Sequence, residues 1–350
     1  MAHDPRREDY QRLALRFACS LDGADPVAAA RAFAGFGRRF QQDRDALPQS
    51  DADRAFHLVA VAAEVVDYRL PFAVGAQADQ LIARGKALLD EALSLDPLCW
   101  DALRMRSSSE IPSIEERYRL LADRTEEVRA SCEAARDEAL RTLGGERAEL
   151  GAELALRPWW RWLATLAEEA LICGHNHAAV SDAERLLACD PSDSCDVRFT
   201  LAYALAKLED ERGLEGLAAR YATISPLRTG DAWLALARMA LAHRRCDYAT
   251  ASEQVGWLIG AYPGAAGVLL RQTELPDGEF SRLRVAPFSE DELVIAVSEG
   301  IVLLQEGTDR RGAGVLGEWL IRETARRDPD AWRALKREAL GGRGKGGEAS

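Results

Sequence analysis

The stretch from Arg157 to Arg198, RPWWRWLATLAEEALICGHNHAAVSDAERLLACDPSDSCDVR, decides the fold class. Trp159, Leu163, Leu166, Ala167, Ala170 and Leu171 recur mostly three or four positions apart, so one face of a helix is apolar. Gly174 is a left-handed stop for that helix. After a short polar turn, Ala179, Val180, Ala183, Leu186 and Leu187 give a second helix. Asp190-Pro191 ends it, because proline cannot continue a helix and disfavours helical backbone in the residue before it. The stretch is one helical hairpin and the start of the next.

The small residues Gly174, Ala179 and Ala183, with the large residues Leu163 and Leu166, fall in the order of a tetratricopeptide repeat (TPR) when counted back from Pro191. The segment resembles such a repeat, in which small residues let two helices touch and large ones interlock. It departs from the pattern where Ala170 replaces a common tyrosine and Ala183 a common aromatic. From Arg157 to about Leu320 the chain is similar to the suppressor-of-tumorigenicity-7 type of bacterial TPR-like module. The matching pieces are Arg157-Pro158-Trp159, Asp190-Pro191-Ser192-Asp193, Val197-Arg198, Asp231-Ala232-Trp233, His243-Arg244-Arg245, Phe288 to Glu292, and Glu318-Trp319-Leu320. The resemblance covers slightly under half the chain and implies a non-catalytic scaffold.

The same alternation extends outward from this stretch. Tyr10, Leu13, Phe17 and Leu21 share a face over 8–21. Asp25-Pro26 starts a helix expected to reach about 46, with Val27, Phe33, Gly37 and Phe40 along it. Helices follow over about 51–69 and 76–95, the latter ending in Asp96-Pro97. Residues 98–106 start a helix that Ser107-Ser108-Ser109 and Pro112 interrupt. Ser113 with Glu116 reads as a capping box. The helix after it runs to about Thr142, its seam being Ile114, Tyr118, Leu121, Thr125, Val128, Cys132, Ala135 and Ala139. That seam fits an intramolecular hairpin with the helix after Gly144-Gly145, or a dimer contact.

Downstream, Leu201 to Leu208, Leu214 to Tyr221, Trp233 to Leu241 and Val255 to Tyr262 give further helices. Pro263 lies 72 positions after Pro191, close to twice the roughly 34-residue period of the repeat. Thr273–Pro287 reads as the longest irregular stretch. Ser289 with Glu292 is a second capping box, before helices of about 290–306, 312–327 and a short last one. The expectation is an all-α, TPR-like α-solenoid of stacked antiparallel hairpins. It divides into an N-terminal helical region over 1–145, a repeat module over 146–340, and a flexible tail over 341–350.

The 350 residues carry a formal net charge of −12. That argues against nucleic acid as a partner, where neutralising phosphate dominates affinity. No apolar run approaches the ~20 residues of a membrane span, and the N-terminus has no apolar core of a secretion signal. A cytoplasmic protein with no membrane partner is expected. The seven cysteines read as reduced thiols.

Cys173, His175 and His177, with Cys189 and Cys195, resemble a metal set as text. A helix of about twelve residues would hold the two groups ~18 Å apart, too far for one zinc with ligands at ~2.0–2.3 Å. No metal, cofactor or catalytic residue is expected. Gly260 to Gly267 follows a helix, not a strand, so it is no phosphate loop. Trp159 and Trp160 lie about 100° apart on one helix and Trp162 a further 200° round. All three cannot face one core, so one is exposed, lies in a groove, or packs between repeats. Arg157, Trp160, Arg161, Arg198 and Trp233 are the candidate partner-binding residues. Arginine on the first helices of stacked hairpins could hold a carboxylate on a concave face. The alternative is a salt bridge from these arginines to Asp193, Asp196 or Glu168. The function expected is a protein or peptide scaffold, with possible homodimers. A regulatory domain binding a small ligand, and an enzyme with a dispersed site, stay as alternatives.

Overall fold

The computed structural model describes residues 4–70, 73–224, 230–275, 285–308 and 314–342. Among them there is no strand. The helices in order are α1 (Pro5–Ser20), α2 (Pro26–Ala34), α3 (Phe36–Gln42), α4 (Asp51–Ala63), α5 (Ala76–Leu95), α6 (Trp100–Glu110), α7 (Ile114–Thr142), α8 (Glu146–Ile172), α9 (Asn176–Cys189), α10 (Arg198–Lys207), α11 (Glu211–Ile224), α12 (Ala232–Arg244), α13 (Tyr248–Ala261), α14 (Ala265–Arg271), α15 (Glu290–Glu299), α16 (Ile301–Leu304), α17 (Val315–Arg327) and α18 (Pro329–Gly342). A 3₁₀ turn spans Arg44–Ala46 and a π-helical segment Glu64–Arg69.

Local chemistry starts and stops these helices. Asp4 and Asp25 accept from the amides of Arg7 and Ala28, each just before a proline. Those amides would otherwise lack a partner in the first turn. Ser50 and Asp53 form a reciprocal capping box on α4. Ser113, Asp231, Asp247 and Ser289 cap α7, α12, α13 and α15 by accepting from the amide three residues on, without the reciprocal bond that a capping box at Ser113 with Glu116 and Ser289 with Glu292 would have. Gly174, at φ 82°, takes the left-handed conformation after α8.

Several boundaries differ from the sequence expectation. The helix expected over 26–46 breaks at Gly35 and ends at Gln42. Ser107 to Ser109 do not interrupt α6. The hydroxyls of Ser107 and Ser109 turn back onto the carbonyls of Arg104 and Arg106, at 2.7 and 2.9 Å, which keeps them compatible with helix. The helix expected after Gly144-Gly145 and the one that opens the deciding stretch are one helix, Glu146–Ile172, which carries Pro158 inside it. Residues 276–284 of the expected irregular stretch, and 343–350 of the expected tail, lie outside the described residues.

Two compact units divide between Glu169 and Ala170, within α8. The expected boundary at 145/146 marks only the turn before that helix. In the first unit, Ala55, Val59, Ala62, Leu89, Ala92, Cys99 and Ala102 form a core between α4, α5 and α6. Leu13, Phe17, Phe36 and Leu47 form a second cluster. Trp162 meets Trp100 edge-on at 6.2 Å and donates its Nε1–H to the Leu121 carbonyl at 3.1 Å. Gly151 lets α8 approach the end of α7: a Cβ there would sit 3.2 Å from that of Ala139.

In the second unit, α10 packs on α9, α11 and α12, and α12 on α11, α13 and α15. Every residue of α10 from Arg198 to Ala206 is buried. Tyr203 on α10 donates its hydroxyl to the Ala296 carbonyl on α15 at 2.6 Å.

Candidate functional site: two buried arginine clusters

In the first unit α8 carries Arg157 and Arg161 one turn apart, so both extend from one face. Arg161 meets Asp101 with two parallel bonds, Nε to Oδ1 at 2.7 Å and Nη2 to Oδ2 at 2.6 Å. Its Nη1 donates to Glu8 Oε2 at 2.9 Å. Glu8 also accepts from Arg12, at 2.7 and 3.0 Å, and pairs with Arg157 at 3.4 Å. The Arg12 guanidinium lies 4.3 Å above the Phe56 ring. Thus α1, α4, α6 and α8 meet at one ionic knot.

Glu8, Asp101 and Arg161 are 1%, 2% and 8% exposed. Burial alone would raise the Asp101 carboxyl, but the Arg161 charge and hydrogen bonds outweigh it and hold it below its ordinary range. Next to this knot Asp9 accepts from Arg44 and lies 2.8 Å from His57 Nδ1. Burial is again opposed, here by His57 and Arg44, and the carboxyl is lowered. Glu169 behaves differently. It pairs with Arg117 through Oε1, its Oε2 has no hydrogen-bond partner among the described residues, and burial pushes its carboxyl up.

The second cluster is built on the loop before α10. Asp190 accepts from the amides and hydroxyls of Ser192 and Ser194. Asp193 and Asp196 adopt left-handed backbone, at φ 53° and 56°, a conformation aspartate tolerates better than most residues. Both carboxylates reach Arg198 Nη1. The Arg198 guanidinium lies 3.9 Å over the Phe199 ring and 4.1 Å over the Tyr221 ring. Phe199 stacks on Trp233 at 3.8 Å and 10°. The Trp233 Nε1–H donates to Glu299 at 2.6 Å. One column therefore runs from Tyr221 through Arg198 and Phe199 to Trp233.

These positions revise the expectation of a groove. The structure brings Arg157 and Arg161 together, and Arg198 and Trp233 together, but in two different units. Trp160, Arg161, Arg198 and Trp233 are 7%, 8%, 7% and 3% exposed. They point into interiors rather than onto an open face. Arg198 takes the salt-bridge alternative, to Asp193 and Asp196, because a guanidinium so deeply buried must be neutralised. Trp159, Trp160 and Trp162 are all buried as well. A helix enclosed by neighbours on several sides buries more than one face. The residues that sequence reasoning missed are Glu8, Asp101, Phe199, Tyr221 and Glu299. Only Phe199 carried a signal, as an aromatic beside Arg198.

Among the described residues no group of three or more His, Cys, Asp or Glu could hold a metal ion. None of the seven cysteines is in a disulfide. No helix among the described residues is long and apolar enough to cross a membrane. The class these observations define is an all-α protein of many helices, with charged groups paired in its interior. A scan against family models, a search of the curated proteins and a search of the solved structures each returned no match.

Proposed function

We propose that this chain is a non-catalytic scaffold for protein–protein interaction, with TPR-like stacking of its helix pairs from α9 to α13. The observation that supports this is the neighbour pattern of α10 and α12. Each packs on the helix before it and the helix after it, and the two pack on each other, as the first helices of successive hairpins do. The buried carboxylates at Glu8, Asp101, Asp193 and Asp196 all face arginine. That use suits bracing better than proton transfer.

In this proposal the partner meets the outer helices. The α10–α12 side is filled by α15, which packs on α12 and accepts a hydrogen bond from Tyr203. Arg198 and Trp233 brace the helices on which the binding face is built. The test is capture of a partner by the intact protein from its own lysate, followed by cross-link mapping. Cross-links on the exposed residues of α11 and α13 are expected. Failure to capture a specific partner, with a small molecule retained in native mass spectrometry, would overturn the proposal in favour of a ligand sensor.

A further inference from the structure

The helix α2, PVAAARAFA, has no buried residue. Its Val27 is 60% exposed; Phe33 is 43% exposed, with one side against Phe17 and Phe36 and the other open. An isolated helix of this length is marginal in water, so an apolar one left open on the surface lacks the cover that normally stabilises it. Val27, Arg31, Ala34 and Arg38 recur at steps of four, three and four across α2 and α3, and all are exposed. The first three form a stripe along α2, which Arg38 follows after the break at Gly35; Phe36 is buried in the core.

The charge of this stretch is opposite to that of the molecule. Residues 26–42 contain Arg31, Arg38 and Arg39 and no acid. With −12 for the whole chain and +3 here, the rest carries −15. Arg31, Arg38 and Arg39 have no hydrogen-bond or ion-pair partner among the described residues, whereas Arg44, next along the chain, is held by Asp9. The flanking acids are engaged elsewhere. Asp22 pairs with Arg147, Asp25 caps α2, Asp43 caps the 3₁₀ turn, and Asp45 pairs with Arg44.

We propose that α2–α3 docks the protein on an anionic lipid surface. Val27 and Phe33 enter the headgroup boundary while Arg31, Arg38 and Arg39 meet the lipid phosphates and carboxylates. A lipid surface needs no groove to receive the open face of such a helix, only apolar side chains and basic charge. The expectation that a membrane plays no part rested on the absence of a span, which does not bear on attachment to a surface. The acidic remainder of the chain is repelled by the same lipids, which orients the molecule with α2–α3 inward. Charges farther away than about 10 Å are screened at ordinary salt.

The test is co-sedimentation of the full chain with vesicles of phosphatidylcholine, and of phosphatidylcholine mixed with phosphatidylserine. Binding to the mixed vesicles alone is expected, weakening as salt is added. Each arginine should contribute about five-fold in partitioning. The variant Arg31→Gln/Arg38→Gln/Arg39→Gln should therefore lose about a hundred-fold. Its melting curve should match wild type, because all three side chains are exposed. Val27→Ser, which removes the apolar side chain and adds no charge, should weaken binding without changing its salt dependence.

Absence of binding to the mixed vesicles, or equal binding by the triple variant, would overturn the proposal. Binding of wild type to poly-glutamate but not to the vesicles would also overturn it, and would assign the stripe to an acidic protein segment. None of these outcomes depends on the scaffold proposal, whose partner capture is measured without lipid.

Discussion

Arg161 neutralises two carboxylates, on Glu8 and Asp101, that have almost no access to water. Removing one partner of a buried pair leaves the other charged and unsolvated, at a cost of about 3–5 kcal/mol. Arg161→Ala should therefore destabilise the protein by that amount in urea unfolding. Arg157→Ala should cost less, about 1 kcal/mol, because its closer partner Glu153 is exposed and its contact with Glu8 is long, at 3.4 Å, leaving Glu8 still held by Arg161 and Arg12. Equal losses for the two would show that the knot is not the support described here. The pH dependence divides by sign. Asp9 and Asp101 are lowered, so the stability they contribute is present above the ordinary value of 3.8 and is lost as pH falls through their folded values. Asp182 is raised by burial, from 3.8 to about 6. The folded state then holds its proton longer, so its effect on stability becomes less favourable as pH rises from 3.8 to about 6. Asp182→Asn should remove that slope and be more stable than wild type at neutral pH. Urea midpoints across a pH series check this.

Gly151 in α8 and Gly216, one of two glycines in α11, are helical positions where the same substitution should act in opposite directions. At Gly216 in α11 a Cβ would meet nothing within 4 Å. Gly216→Ala should stabilise by roughly 0.5–1 kcal/mol through helix propensity. At Gly151 in α8 the added carbon would lie 2.8 Å from Leu143 Cδ1 and 3.2 Å from Ala139 Cβ. Overpacking of that kind costs about 1–3 kcal/mol and offsets the propensity gain, so Gly151→Ala should be net destabilising. Thermal unfolding of the two variants side by side is the measurement. The helix pattern itself was legible: Asp25-Pro26, Ser113, Ser289 and Gly174 act as the caps and stop that their residue types indicate. The break at Gly35 was not legible, because the helix on either side has the same apolar spacing. A helix after Gly144-Gly145 was legible, but its unbroken run through Pro158 was not, because proline ordinarily ends or kinks a helix.

The first unit depends on α8 as a whole. A chain cut at the expected boundary, 1–145, keeps Glu8 and Asp101 but loses Arg161, and it loses the Trp162 ring that packs on Trp100. It should show no cooperative melt by circular dichroism. A chain of 1–172, which keeps α8, should melt cooperatively. A cooperative transition for 1–145 would restore the boundary that the sequence suggested. The two divisions differ over Arg157 to Trp162: they resemble the opening of a repeat, yet Arg161 and Trp162 pair and pack with Glu8, Asp101 and Trp100.

By itself the sequence determined the all-α class, most helix ends and the absence of a long apolar span. These depend on interactions within a few residues: a cap three positions ahead, a stop one residue behind, an apolar face repeating every turn. Only the tertiary structure decided what the arginines and tryptophans do. Arg161 meets Asp101 and Glu8 across 60 and 153 positions. Trp233 reaches Glu299 across 66. No local rule selects among the 57 acids of the chain the few that face a given guanidinium. That choice is made when the helices pack, because a buried charge is tolerated only where its partner is brought beside it.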